Sequence, residues 1–259
     1  MIRFENVTKS FGPKTILKNV SFEVSTGEIL FILGKSGMGK SVTLKHIVGV
    51  MKPDSGKIYV DGKDVTSMSD LQLESVRSTC GMVFQHPALL DSLNVYQNVS
   101  FGLRTPQFNH AMKRTLNEEE IKTRVLEKLS LVNLGPEILE RMPPEISYGM
   151  QKRVSLARTL APGPSYLLFD EPTTGLDPIT TNAVNDLIFE LSRKLKVTSV
   201  VVSHDMACAL KIADRILVLD QAGILAIGTV SEIKRSSEAL IQDFLSETLA
   251  LLPPEERAK

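Results

Sequence analysis

The chain contains no tryptophan and only two cysteines, and aromatic residues make up just 5% of its 259 positions. Cys80 and Cys208 lie far apart with no metal-ligand spacing, which argues against a disulfide framework or a thiolate metal site and suits a reducing cytosol. Both are expected to be small core residues. Charge of one sign is also missing in excess. The 30 basic and 30 acidic residues leave no global field to draw the chain to nucleic acid or to an anionic membrane, so a nucleic-acid partner is not expected. No apolar run approaches the length that crosses a bilayer, and Met1-Ile2-Arg3-Phe4-Glu5 lacks the apolar stretch of a signal peptide. The chain is therefore expected to be soluble by itself. Internal repeats and low-complexity segments are absent as well.

What the chain does have is a glycine-rich loop, Gly34-Lys35-Ser36-Gly37-Met38-Gly39-Lys40-Ser41. In a loop of this pattern the backbone N–H groups point inward around phosphate oxygens, Lys40 reaches the β and γ phosphates, and the Ser41 hydroxyl is placed to hold Mg²⁺. Glu28 to Leu33 reads as a buried strand before the loop, and Lys40 to Val50 as a helix whose positive N-terminus, with Ser41 and Val42 in its first turn, faces the phosphates. Downstream, Asp170-Glu171 ends the apolar run Tyr166-Leu167-Leu168-Phe169. Taken alone, those two acids could merely end a strand at a solvated loop. After a phosphate loop, the two together read as an ATPase.

Composition shifts along the chain divide it. Residues Ile2 to Val24 alternate with β-branched and aromatic positions, and Lys57 to Val60 followed by Asp61-Gly62 reads as a further strand and turn, which together make a small β lobe. From about His86 to Leu160 the sequence becomes charged and helix-favouring. Asn117-Glu118-Glu119-Glu120 opens a helix there that carries Ile121, Val125, Leu126, Leu129 and Leu131. Apolar strands then resume at 166–169, 199–202 and 215–219, with a helix from Ala183 to Lys196 between the first two. Strand, helix, strand implies a parallel α/β core. The tail repeats Ile241, Phe244, Leu245, Leu249 and Leu252 at helical spacing, so one face of it must cover something: its own core, a neighbouring copy, or a partner.

Between the loop and the second pair of acids lies Ile146-Ser147-Tyr148-Gly149-Met150-Gln151-Lys152-Arg153-Val154, and Ser203-His204-Asp205 follows the acids. With Phe11-Gly12, Phe84-Gln85 and Gly175-Leu176-Asp177, this ordered set resembles the ATP-binding cassette family over nearly the whole chain. The resemblance implies an α/β fold: a P-loop NTPase (RecA-like) core with an antiparallel β lobe and an inserted α-helical lobe. Residues 1–230 would form one nucleotide-binding domain, with the helical lobe at about 86–160, and 231–259 a helical tail. It implies ATP and Mg²⁺ as ligands. Phe11 would stack on adenine, and Gly34 through Val42 would hold the phosphates. Ser41, Gln85 and Asp170 would hold the metal. Glu171 would be the general base, and His204 would contact the γ phosphate. Without the family pattern, Gln85 reads as a solvated loop residue, Phe11 as core, and His204 as a structural group.

The same resemblance implies a head-to-tail homodimer in which Ser147 and Gly149 of one copy cap the γ phosphate held by the other. Two departures stand out. Tyr148 replaces the first signature glycine, where it would slow closure or turn outward to ribose or the partner, and Met150 replaces a glutamine. The segment Gln85 to Arg104, the run Gly175 to Thr180, Val200 to Asp205 and the stretch Ala239 to Leu245 look like the MCE-associated ATPases of the Mla phospholipid system. That branch implies integral-membrane permease subunits, an MCE-domain protein, a small STAS-type subunit, and a place on the cytoplasmic face of the inner membrane. Other cassette ATPases stay open as alternatives: those of other transporters, a non-transport type with soluble partners, or a regulatory subunit that binds ATP without turnover.

Overall fold

The computed structural model describes residues 1–251. Leu252, part of the amphipathic face read for the tail, and the rest of the tail to residue 259 lie outside the described residues, as does the side chain of Leu249.

Two sheets carry the fold. The first is antiparallel, in the order β2 (Lys14–Val24), β1 (Ile2–Phe11), β4 (Ser55–Val60) and β5 (Lys63–Asp64). The second runs β10 (Gly223–Thr229), β9 (Arg215–Asp220), β3 (Ile29–Leu33), β8 (Thr198–Ser203), β7 (Tyr166–Asp170) and β6 (Cys80–Val83). All its neighbours pair in parallel except β10, which returns antiparallel at the edge. The central strands are apolar at nearly every position because both faces of this sheet are covered. Period-two alternation then sorts them. Leu30, Ile32, Leu168, Val200, Val202 and Leu217 face the β lobe and α1 (Lys40–Ile47), whereas Ile29, Phe31, Phe169, Val201 and Ile216 face the helical side.

The helical lobe is built from α3 (Val95–Ser100), α4 (Pro106–Met112), α5 (Glu118–Leu131) and α6 (Tyr148–Leu160), after the short α2 (Asp70–Arg77) that lies beside β6. Asn117 caps α5 as expected, with a reciprocal bond to Glu120. The phosphate-loop helix stops at Ile47 rather than Val50, because the chain turns at Gly49, whose φ is +63°. In α7 (Pro178–Leu195) the opposite correction applies. It begins five residues before Ala183, since Asp177 accepts the amides of Ile179 and Thr180 and Pro178 suits a first turn.

The chain closes with α8 (Met206–Ile212), α9 (Val230–Lys234) and α10 (Ala239–Leu251). Ile241 and Phe244 are buried and Leu245 is half-buried against the chain's own core, so the tail packs on its own protomer. Cys208 is buried and Cys80 half-buried, both as free thiols, and desolvation pushes the Cys80 thiol up to about 11. Among the described residues no helix is long and apolar enough to cross a membrane.

Candidate functional site

Four parallel strands end at one place. The loop after β3 is the phosphate loop, the loop after β6 bears Gln85, the loop after β7 bears Glu171, and β8 runs into His204. Ligands of open parallel sheets sit at the carboxyl ends of the strands, and here a cavity of about 730 Å³ lies there. Phe11, Lys35, Ser36, Gly37, Gly39, Lys40, Ser41, Val42, Gln85, Glu171 and His204 all line it. Phe11 comes from the β lobe and is 46% exposed at the cavity wall.

The loop's glycines are required by the close packing beneath it. A Cβ on Gly39, whose φ is +91°, would stand 2.9 Å from Leu17 Cδ2, and one on Gly34 would stand 2.8 Å from the Leu219 carbonyl oxygen. Gly34 and Met38, both assigned to phosphate binding from the sequence, do not line the cavity. Met38 packs instead with the β-lobe core, and Gly34 offers its carbonyl to the lysine.

Lys40 is 6% exposed, and its ammonium donates to Gly34 O at 2.7 Å and Lys35 O at 3.2 Å, with Glu171 Oε1 3.4 Å away. The Ser41 hydroxyl donates to Asp170 Oδ1 at 2.7 Å, which joins the loop to the end of β7. These groups fit Mg²⁺·ATP. A buried cation and a glycine cradle suit phosphates. A hydroxyl beside a carboxylate offers the few hard oxygens that Mg²⁺ takes from protein when waters and phosphates complete its shell. Consistently, no group of three or more His, Cys, Asp or Glu is gathered to cage a metal among the described residues.

Glu171 has a left-handed backbone, φ +48°, with its amide bonded to Val202 O. Its Oε2 accepts from Ser203 Oγ at 3.1 Å and Thr174 Oγ1 at 3.3 Å, and lies 3.0 Å from His204 Nδ1. His204 is therefore adjacent to Glu171 as well as to the cavity. The sequence marks Ser203 only as a neighbour of His204, because a bond between residues 32 apart leaves no mark in it, and Thr174, three residues after Glu171, carries no motif that singles it out.

Ser147 and Gly149 stand apart from the cavity, at the start of α6 on the helical lobe. Ser147 accepts the Met150 amide at 3.3 Å, and the helix N-terminus it caps suits an anion. Tyr148 is exposed at the protomer surface, 37% accessible, and also makes contacts within its own protomer. Its hydroxyl lies 3.3 Å from His86 Nδ1, and its ring centre is 5.5 Å from the Lys152 ammonium. Another unforeseen feature is that Leu240, Asp243, Phe244 and Glu247 of α10 line the same cavity as the phosphate loop.

This arrangement defines a nucleotide-hydrolysing P-loop protein. Residues 17–174 match the family model described as "ABC transporter", and the chain belongs to that family as one of its ATPases. It is 37% identical over 245 residues to the "probable ribonucleotide transport ATP-binding protein mkl" of Mycobacterium leprae, covering 95% of this chain and 68% of that one. It is also 37% identical over 260 residues to the methionine import ATP-binding protein MetN of Carboxydothermus hydrogenoformans, covering 99% and 74%. The chain thus spans about two thirds to three quarters of the length of these curated relatives. Among solved structures it resembles the ATP-binding cassette MJ0796, a dimer in a post-hydrolysis state with ADP and Pi. That match has a TM-score of 0.78 and 31% identity, covering 89% of this chain and 99% of that chain.

Proposed function

We propose that the chain is the motor of a membrane transporter, in which two copies close head to tail over two ATP molecules. The observation that carries this reading is the split of the machinery. Lys40, Ser41, Glu171 and His204 share one cavity, while Ser147 and Gly149 sit at a capped helix N-terminus outside it. A second copy brings that helix end to the γ phosphate, and the solved relative is dimeric.

The phosphate-loop amides and Lys40 hold the β and γ phosphates. Ser41, Asp170 and Gln85 hold Mg²⁺, which neutralises charge on the phosphate oxygens when bound. Glu171, its Oε2 fixed by Ser203, Thr174 and His204, takes the proton of the attacking water. Phe11 stacks on the adenine. Donors aimed at charge in a closed site are worth about 3 kcal/mol each, so turnover depends steeply on closure.

Beside the nucleotide site the helical lobe presents a groove lined by Leu93, Tyr96, Gln97, Phe101, Arg104 and Pro106, with Phe101 53% exposed. Leu90 is also exposed, whereas Leu89 packs into the lobe. The groove suits a short helix of a permease subunit on the cytoplasmic side of the inner membrane. For cargo we propose phospholipid, moved with an MCE-domain protein and a small STAS-type subunit. The support is the resemblance of residues 85–104, 175–180 and 239–245 to the Mla branch. The cargoes in the relatives' names, ribonucleotide and methionine, support the second reading, the ATPase of a transporter of another solute.

The test is to purify the Glu171→Gln chain with ATP from gently solubilised membranes of its own cell and identify what accompanies it. A multi-span permease with an MCE-domain protein and phospholipid supports the lipid reading. A permease with a solute-binding protein replaces it, and soluble partners alone overturn the transport role.

A further inference from the structure

Lys152 lies one turn along α6 from Tyr148 and Ser147, and it is 6% exposed. A buried lysine is costly unless its three donors are met, and here each has a backbone carbonyl. Its ammonium donates to Gln85 O at 2.6 Å, Pro172 O at 2.9 Å and Thr174 O at 3.4 Å. Among the described residues no salt bridge pairs it, and burial pulls the ammonium down to about 8. A leucine or methionine would fill this place more cheaply, so the retained charge does something packing alone does not.

The three acceptors identify what it does. Gln85 is the residue placed at the Mg²⁺ side of the cavity, and Pro172 follows Glu171 directly. Thr174 gives its carbonyl to Lys152 and its hydroxyl to Glu171 Oε2. One side chain on the helix that begins at Ser147 thus grips both loops that carry the hydrolytic groups. Tyr148 adds a chain-specific element, since its ring faces the ammonium at 5.5 Å where a glycine would leave that side open.

We propose that Lys152 is a positioning residue that couples the α6 helix to Gln85 and Glu171, so that movement of the helical lobe on dimer closure sets the geometry of the hydrolytic groups. This rests on the roles given above to Ser147 and Glu171. Lys152 does not line the nucleotide cavity. Its loss changes the rate of the chemical step and leaves ATP binding in place.

The experiment uses the full chain, with ATP turnover and Mg²⁺·ATP affinity measured separately for Lys152→Met, Lys152→Gln and Tyr148→Leu. Removing three charge-assisted bonds in Lys152→Met is expected to lower kcat about tenfold to a hundredfold, with affinity within about twofold of the wild type. Lys152→Gln keeps two N–H donors and is expected to recover part of the loss. Tyr148→Leu, at the surface, is expected to cost about threefold in kcat. If Lys152→Met does not fold, the other two variants carry the comparison. Wild-type kcat in Lys152→Met, or in both Lys152→Gln and Tyr148→Leu, overturns the proposal, and so does a loss that lies in ATP affinity. Glu171→Gln in the same assay isolates the underlying reading: normal turnover there removes the base role, independently of what Lys152 does.

Discussion

The strand-end half of the nucleotide site and the signature half on α6 are built on different physical terms. Lys40 and Ser41 follow the phosphate loop after β3, and Asp170, Glu171 and His204 stand at the ends of β7 and β8; Lys40 pairs with Glu171, Ser41 with Asp170 and His204 with Glu171, all within one protomer. Ser147 and Gly149 sit at the exposed start of α6, a helix whose other face packs on the sheet, and Ser147 bonds within the protomer as an ordinary helix cap. The first half is preorganised, and under the proposed head-to-tail closure the second is delivered by the other copy. An enzyme divided this way can hold ATP without hydrolysing it, which ties turnover to the event that brings the halves together.

The largest expected effect strikes the preorganised half. Lys40→Ala removes the charge that clamps two phosphates, and both ATP binding and turnover should be lost; binding by equilibrium dialysis at unchanged strength would refute the phosphate-loop assignment. Glu171→Gln is next, with turnover falling on the order of a thousandfold while ATP binding persists. Size-exclusion chromatography should then show a stable dimer with ATP and a monomer without it. A dimer that forms equally well without nucleotide would break the link between binding and closure.

The delivered half can be tested by complementation. Ser147→Ala alone should cost about a hundredfold in turnover. In an equal mixture of Ser147→Ala and Lys40→Ala chains, half the dimers are mixed, and each has one intact site if Ser147 acts on its neighbour's nucleotide. Independent sites then give about a quarter of wild-type turnover. No recovery would mean that Ser147 serves its own protomer. The smallest effect lies in the scaffold. Asp177→Ala removes the cap of α7 and should lower stability by about 1 kcal/mol, or about 2–4 °C in Tm, with the phosphate site intact.

The preorganised half was legible in the sequence because its chemistry is local. Gly34 to Ser41 is a continuous run, and Asp170-Glu171 follows its strand directly. The alternation of Leu30 and Ile32 against Ile29, Phe31 and Leu33 was visible only as an unbroken apolar run, since both faces are buried. Less legible were the contacts that depend on where loops meet. Nothing in Gln151-Lys152-Arg153 distinguishes a lysine gripping three carbonyls from one in water. Phe11 and Phe244 line one cavity although almost the whole chain separates them. The helix start at Pro178 was missed for a simpler reason, because Gly175-Leu176-Asp177 drew attention as a motif while its aspartate also serves as a cap.

Glu171 occupies a backbone region, φ +48°, that costs a residue with a Cβ roughly 1 kcal/mol, while glycine enters it freely. Folding and chemistry therefore pull in opposite directions at this position. Glu171→Gly would relieve that backbone cost and lose the carboxylate's contacts with Lys40, Ser203, Thr174 and His204, and a selection that rewarded heat resistance alone would not register the lost chemistry. For anyone engineering this motor, position 171 is one to hold fixed before the first library is made.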